Sequence, residues 1–295
     1  MSTLFIAVTL CLLGLIVGSF AGATVWRLRA RQLVLDKKNG ERVTSFDKSQ
    51  VEKIKKQSLF SDRSGCLHCG QQLKWYDMVP LVSWVYLNGK CRHCHKKIGN
   101  FEPIIELSMA AFFVFSYIFW PYTLETPLEV ARLVLWVGGG VGLGILFAYD
   151  KKWFLLPDII VYPLIGLGLV NVIVVLAQSS FELAKLTDIL YACLVLSGLY
   201  YLIYVASNHK WVGFGDVKLG LVLALLLADW RLAILALFLA NLIGTILVIP
   251  AMVLGKIKRQ SHIDFGPLLI AGWFIAGLFG DDIIGVYLLY ALGVS

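Results

Sequence analysis

The chain has 295 residues, of which 59% are hydrophobic and 15% are charged, and its formal net charge is +7. Soluble globular domains carry about 25% charged residues, so this composition excludes an ordinary soluble domain and indicates a polytopic membrane protein. The positive charge does not indicate a nucleic-acid partner, because 16 of the 26 Lys and Arg residues lie together between Arg27 and Lys97, where they set topology and contact membrane lipid.

Apolar stretches long enough to cross a bilayer recur along the chain, each span needing roughly 20 residues. We predict about eight of them, near 4–26, 103–121, 129–149, 158–178, 187–206, 217–229, 232–254 and 265–292. The sixth stretch is short, and Gly280-Asp281-Asp282 is expected to interrupt the last. The predicted fold class is therefore an all-α, polytopic membrane helical bundle with a small cytoplasmic zinc-binding loop domain.

The first apolar stretch is expected to be a retained membrane span, because residues 1–5 lack a basic group and the stretch ends in basic residues from Arg27. Cytoplasmic loops carry the excess of positive charge, which puts the 27–102 segment inside and both termini outside. We predict three parts: the first span at 1–26, a cytoplasmic domain at 27–102, and a transmembrane domain at 103–295.

Four of the six cysteines form two C-x2-C pairs, Cys66 with Cys69 and Cys91 with Cys94, separated by 21 residues. Four thiolates at this spacing can close a tetrahedral site, which zinc usually fills, and the reducing cytoplasm favours a metal over disulfides. We predict a structural zinc, with iron–sulfur ligation or a redox pair as alternatives. The three histidines beside the pairs are expected to be solvated: His68, His93 and His95.

Two aspartates stand at the inner ends of predicted spans. Asp216 follows Gly213-Phe-Gly, and Asp150 ends an apolar helix, where a carboxylate opposes the helix dipole. Carboxylates beside hydrocarbon are costly, and two from distant segments indicate a pair that shares one proton and activates one water, as in an aspartic protease. Asp158, after Pro157, is instead expected to cap a helix. The aspartates at outer span ends are expected to be solvated caps: Asp188, Asp229, Asp281 and Asp282.

These motifs together resemble the bifunctional type IV prepilin peptidases, aspartic proteases of the bacterial inner membrane. Gly213-Phe-Gly-Asp216 resembles the family's G-x-G-D motif, and the segment from Asp150 to Asp158 resembles its D-x6-P-D motif. Phe265-Gly-Pro267 resembles its F-G-P, and the cysteine pairs resemble its cytoplasmic zinc loop. Gly18-Ser-Phe20 resembles the end of its first span, although Ala21-Gly22-Ala23 then stands where the family has Leu-Asn-Val.

The resemblance implies two reactions. Asp150 and Asp216 would form the catalytic pair that removes the basic leader of prepilins or pseudopilins at the cytoplasmic membrane edge. The N-terminal part, with the zinc loop, would then methylate the new N-terminus with S-adenosylmethionine. The implied enzyme is a multi-pass protein of the bacterial inner membrane whose active site faces the cytoplasm.

Two other functions remain compatible with these residues. One is a G-x-G-D membrane protease without methyltransferase activity. Gly22 in place of the expected Asn leaves this function open, whereas the cysteine loop argues against it. The other is a membrane transporter whose inner carboxylates line an ion path. Transporters place their sites near the membrane midplane in broken helices, whereas these carboxylates stand at span ends.

Overall fold

The computed structural model describes residues 3–38, 64–255 and 264–292. These residues are helical, and their only β pairing consists of isolated bridges in the cysteine-rich segment. Seven of the described helices are long and apolar enough to cross a membrane, which confirms the predicted fold class. The chain divides into two compact units, Met1–Ile118 and Phe119–Ser295. The functional limits at residues 26 and 102 stay predictions.

The first unit is built on two long helices, α1 (Thr3–Lys38) and α3 (Phe101–Ile118). Helix α1 is about 54 Å long and exceeds the hydrocarbon thickness of about 30 Å, so the helix continues beyond the predicted span at 4–26. The cysteine-rich segment lies between these helices in the chain and contains the short helix α2 (Val82–Tyr86).

Small residues allow α1 and α3 to pack closely. A Cβ built on Gly14 would come within 2.6 Å of the Ala110 Cα, and one built on Gly18 would come within 2.6 Å of the Glu106 Cα. Close backbone approach at small residues is the usual way in which membrane helices associate. Gly18 thereby places Glu106 beside the middle of α1.

The described residues of the second unit form seven α-helices. They are α4 (Pro127–Trp153), α5 (Asp158–Gln178), α6 (Leu183–Cys193), α7 (Leu199–Ala206), α8 (Phe214–Leu227), α9 (Trp230–Val253) and α10 (Phe265–Leu292). A π-helical turn at Leu194–Gly198 joins α6 to α7, so that both form one span. The four helices α4, α5, α9 and α10 are each long enough to span a membrane alone.

Helix α8 corresponds to the short sixth stretch. Its 14 residues rise about 21 Å, less than the hydrocarbon thickness. Beyond Lys218 the helix is apolar on every face, and α8 contacts every other described helix of the second unit. A Cβ on Gly220 would come within 2.3 Å of the Leu196 carbonyl oxygen, so the π-helical turn lies directly against α8. This central position places Asp216, in the first turn of α8, inside the unit.

A buried asparagine holds the C-terminal end of α8. Asn171 on α5 is 2% exposed, and its Nδ2 donates to the carbonyl oxygens of Leu225 and Leu226 at 2.9 and 3.2 Å. Because the last carbonyls of a helix have no partner within the helix, these two bonds satisfy groups that would otherwise be buried without one. Asn171 therefore anchors α8 to α5.

The acidic residues at the outer span ends differ from the prediction. Helix α10 continues through Gly280-Asp281-Asp282, because Gly280 packs against Leu232 and a helix in an apolar environment must keep its internal hydrogen bonds. Asp188 also lies within a helix and not at its cap. Asp229 does cap α9, but it is buried and paired with Arg231 at 3.2 Å, so it is not a solvated cap.

Candidate active site and metal site

Asp150 lies in the last turn of α4 and is 6% exposed. The helix ends at Trp153, and Phe154 closes it in a left-handed conformation with its N–H donating to the Asp150 carbonyl at 2.8 Å. Lys151 and Lys152 follow directly and place positive charge at the negative end of the helix dipole. These two lysines offset the unfavourable position of the carboxylate.

Asp216 occupies the third position of α8, after the N-cap residue Gly213. The Gly213 N–H donates to the Asp216 carboxylate, which thus satisfies one of the free N–H groups at the start of the helix. A carboxylate in the first turn also interacts favourably with the helix dipole. Asp216 therefore helps to start α8, and its charge also acts on Asp150.

The fold brings Asp150 and Asp216 into one site. Repulsion from Asp216, and more weakly from Asp264, acts on the buried Asp150 carboxylate, while Lys151 attracts it. These groups come from the end of α4, the start of α8 and the residue before α10. Two carboxylates whose charges interact in this way, one buried and one half-buried, favour a state in which one proton is shared between them.

Helix α10 begins directly against the Asp150 carboxylate. A Cβ built on Gly266 would come within 2.5 Å of Asp150 Oδ2, a separation that real Cβ atoms do not show. Gly266 therefore allows the first turn of α10, with its unpaired N–H groups and positive dipole end, to approach the carboxylate. The structure explains the glycine of the Phe265-Gly-Pro267 motif: without a side chain, the backbone of residue 266 can approach the Asp150 carboxylate.

Two further residues, Asp264 and Tyr200, belong to the site, and neither is predicted from the sequence. Asp264 has a side chain that is 8% exposed and pairs with Lys151 at 3.3 Å. Tyr200 is buried, its ring centroid lies 5.7 Å from that of Phe265, and the charge of Asp216 acts on its phenol. A tyrosine within an apolar span has no local signal that would predict this position, whereas Asp264 is marked only by its place before the Phe-Gly-Pro motif.

Asp158 does not cap α5 as predicted. Pro157 is the N-cap residue and makes no side-chain cap bond, and Asp158 is the first helical residue. The Asp158 side chain is 52% exposed and forms an ion pair with Lys218 of α8. The cap prediction is wrong because a lysine on a distant segment offers the carboxylate a charged partner, which the local sequence cannot show.

The two cysteine pairs form matching turns. In the first, the Cys66 N–H donates to the Gln71 carbonyl at 2.9 Å, and the Cys66 carbonyl accepts from the Gly70 N–H at 2.8 Å. The second turn repeats this pattern from Cys91, with acceptor and donor five and four residues further on. Each turn is closed by one isolated β bridge. Local hydrogen bonding thus orients both pairs of thiols toward one centre.

The four sulfur atoms of Cys66, Cys69, Cys91 and Cys94 all lie within 4.8 Å of one another, and those of Cys66 and Cys94 are 3.9 Å apart. A tetrahedral zinc with Zn–S bonds of about 2.3 Å separates its sulfur ligands by about 3.8 Å. The cluster therefore has the size and donor set of a closed metal site, and its cysteines are free thiols and not disulfides.

Hydrogen bonds and burial act on these thiols in opposite directions. Burial raises the pKa of the Cys66 thiol to about 12. For Cys91, burial is outweighed by hydrogen bonds, first from the N–H groups of Cys94 and His93, and the pKa falls to about 7. His68 turns its ring toward the Lys97 carbonyl at 3.2 Å and is not part of the metal-binding cluster.

Comparison with known proteins identifies both parts of the chain. Residues 12–120 match the family model of the Bacterial Peptidase A24 N-terminal domain, and residues 137–249 match that of the Type IV leader peptidase family. A prepilin leader peptidase/N-methyltransferase of Pseudomonas aeruginosa is 32% identical over 97% of this chain and 95% of its own length. One of Bacillus subtilis is 30% identical over 80% of this chain and 89% of its own length. No solved structure matches the chain.

Proposed function

Because the chain belongs to the prepilin leader peptidase/N-methyltransferase family, we propose that it removes the basic leader from prepilins or pseudopilins and methylates the new N-terminus. The observation that carries the peptidase activity is the pair formed by the buried Asp150 and the half-buried Asp216, whose charges interact although the two helices are distant in the chain. The seven membrane-length helices support a multi-pass position in the bacterial inner membrane.

In this proposal Asp150 and Asp216 act together as a general acid and a general base. The ionised carboxylate takes a proton from a water molecule, which then attacks the scissile carbonyl carbon of the prepilin. The protonated carboxylate donates its proton to the carbonyl oxygen, so that negative charge does not accumulate there. Burial of Asp150 keeps competing bulk water away from the pair.

The surrounding residues hold the pair in position. The start of α10 approaches Asp150 through Gly266, and Asp264 holds Lys151 in an ion pair beside it. The charge of Asp216 acts on the phenol of Tyr200, which packs against Phe265. The approach of Gly266 restricts the movement of the Asp150 carboxylate, and the hydrogen bond from the Gly213 N–H restricts that of Asp216. Correctly fixed geometry is a large part of catalytic rate.

The charge distribution supports an active site that faces the cytoplasm. Lys151, Lys152 and Lys218 lie at the same ends of their helices as the two aspartates, whereas Arg231 stands at the opposite end of the second unit. Cytoplasmic ends of membrane helices carry the excess of Lys and Arg. A prepilin, which is an apolar helix with a basic leader, would place its cleavage point at this membrane edge.

We assign zinc to Cys66, Cys69, Cys91 and Cys94 as a structural metal. A site with four thiolate ligands has no open position for substrate or water, so its role is to stabilise the cysteine-rich segment. S-adenosylmethionine, when bound, supplies an electrophilic methyl group for the free amine that cleavage produces. The amine must be neutral to accept the methyl group, and partial desolvation at a membrane edge favours its neutral form.

A protease without methyltransferase activity is the second candidate. It is supported by Gly22, which stands where the family has Asn, so that no amide side chain is present on this turn of α1. A Cβ built on Gly22 meets no atom within 4 Å, and a side chain could therefore fit there.

Mass spectrometry of a coexpressed prepilin separates these candidates. We expect loss of the leader together with the mass of one added methyl group on the new N-terminus. A cleaved but unmethylated product, with S-adenosylmethionine supplied, would leave a peptidase alone. An intact prepilin, together with ion flux through reconstituted protein, would favour the transporter.

A further inference from the structure

A cavity of about 320 Å³ lies within the first unit, and the metal and aspartate sites leave it without a role. Its walls come from the inner half of α1, the start of α3 and the cysteine-rich segment. The volume is within the range of small-molecule sites, about 300–1,000 Å³. Aromatic and apolar groups form most of the wall, among them Trp26, Trp84, Met78 and Val79.

One wall carries the buried carboxylate of Glu106, which is 6% exposed. Its Oε2 accepts the Leu81 N–H at 2.9 Å, and the Ser19 side chain also forms a hydrogen bond with it. Leu81 has φ 58°, a backbone conformation that residues with a side chain rarely adopt. Such strain occurs where the surrounding structure fixes a site, and here the bond to Glu106 holds it.

Glu106 has no cationic partner in the part of the chain that the structure describes. Burying an ionised carboxylate without such a partner is costly, because desolvation is not repaid by attraction. Its charge is also repelled by that of Glu102, one helical turn earlier. A positively charged ligand in the cavity would relieve both costs.

Glu102 presents a second acceptor to the same cavity. Its Oε1 accepts the Trp26 Nε1–H at 3.2 Å, whereas its Oε2 is buried and has no hydrogen-bond partner among the described residues. A buried carboxylate oxygen without a partner is uncommon in folded proteins and indicates an absent ion, water or ligand group. The two glutamates therefore give the cavity a negative wall beside the Trp26 ring.

This combination of groups defines the ligand chemistry. The wall carries two carboxylates, two indole rings and the buried Arg27. The carboxylates and indole rings favour an organic cation, since cations bind both to carboxylates and to aromatic faces. The apolar surfaces of Trp84 and Met78 suit a flat heterocycle. Among the reactants of the proposed function, S-adenosylmethionine unites a sulfonium, an ammonium and a purine.

We propose that this cavity is the binding site for S-adenosylmethionine, with Glu102 and Glu106 supplying the negative charge that selects its sulfonium group. The inference rests on the proposed methyltransferase function and gives it a location. Cys66 and Cys91 also line the cavity, so the metal site would act on methylation indirectly, by holding one wall of the donor site.

Ligand binding to the purified full-length protein in detergent tests the assignment without relying on turnover. S-adenosylmethionine and S-adenosylhomocysteine differ in the sulfonium charge, so we expect the protein to bind the first more tightly. Glu106→Gln keeps an acceptor for the Leu81 N–H but removes the negative charge. Glu102→Gln keeps an acceptor for the Trp26 Nε1–H and also removes the negative charge. Each change should weaken S-adenosylmethionine binding about tenfold and alter S-adenosylhomocysteine binding much less.

Glu125→Gln is the matched control, because Glu125 is exposed and lies outside the cavity. Its affinities should equal those of the wild type, and the protease resistance of the cysteine-rich segment in all three variants shows whether the first unit folds. Ultraviolet crosslinking of labelled S-adenosylmethionine to the wild type gives a second measurement that needs no variant. The labelled peptide should fall within residues 19–106.

The outcomes separate this inference from the proposed function. A wild-type protein that methylates pilin but crosslinks outside residues 19–106 overturns the site alone. Unchanged affinity in both glutamine variants also overturns it. A wild-type protein that neither binds S-adenosylmethionine nor methylates a cleaved pilin overturns the methyltransferase part of the proposed function, and this inference with it.

Discussion

Gly266 lies so close to Asp150 that a methyl group on its Cα would come within 2.5 Å of the carboxylate oxygen Oδ2. The start of α10 is therefore part of the aspartate site, although it contributes backbone and not a side chain. Asp150 at the end of α4 fits against the first turn of α10 only because residue 266 has no Cβ.

Gly266→Ala should lower the rate of leader removal by about 100-fold, because displacement of a catalytic group by about 1 Å has an effect of this size. The matched control is Gly285→Ala on the same helix, where a Cβ meets nothing within 4 Å. Both variants should insert into the membrane normally. Equal cleavage rates for the two would show that the Asp150 carboxylate need not occupy its present position.

Asp150→Asn and Asp216→Asn should each reduce leader removal by several orders of magnitude, because an acid and a base that act as one unit are lost together. Asp158→Asn is the control: its side chain is half exposed and bound to Lys218, so we expect only a small effect. Cleavage would be followed with a purified prepilin and the detergent-solubilised enzyme. Near-normal activity of either member of the pair would remove that residue from the catalytic role.

The sequence was most informative where the signal was local. Apolar runs of span length predicted the helices, and C-x2-C spacing predicted the cysteine cluster, because each depends on residues that are close in the chain. The two aspartates were recognised as special because each breaks an apolar pattern. Their meeting, however, depends on the central position of α8, which its composition alone does not give.

The wrong predictions share a different cause, which is a partner far away in the sequence. Asp158 binds Lys218 on another helix instead of the backbone of its own. Gly280-Asp281-Asp282 suggested a break, but packing of Gly280 against Leu232 lets the helix continue. For Glu106 the sequence predicts no role, because its partners Leu81 and Ser19 come from other segments of the chain.

Asn171→Ala should lower the free energy of unfolding by about 1–3 kcal/mol, because it leaves the Leu225 and Leu226 carbonyls buried without partners. Asn241→Ala is the control, since Asn241 is exposed and bonds only a carbonyl of its own helix, with an expected change below about 0.5 kcal/mol. Unfolding in mixed micelles titrated with a denaturing detergent provides the measurement. Similar losses for both variants would mean that Asn171 does not anchor α8.

The purified protein should contain about one zinc per chain, held by the four clustered thiolates. Serine at Cys66 or Cys94 should reduce the bound metal and make the cysteine-rich segment sensitive to protease, since a closed metal site contributes folding energy. Serine at Cys11 or Cys193 is the control, because neither belongs to the cluster. Elemental analysis that finds iron, or no metal, would contradict the zinc assignment.

Methylation should survive the loss of cleavage. The aspartate pair belongs to the second unit, whereas the cysteine cluster and the glutamate-lined cavity belong to the first. We therefore expect Asp216→Asn protein, which leaves the uncleaved prepilin unchanged, to methylate a mature pilin whose N-terminus has already been exposed. The methylation rate should be within about twofold of the wild-type rate, because Asp216 lies in the second unit and the substitution leaves the first unit unchanged.

Transfer of labelled methyl groups from S-adenosylmethionine to the mature pilin is the measurement, with uncleaved prepilin as the negative control. Loss of transfer in a correctly inserted Asp216→Asn protein would show that the two reactions share the aspartate site.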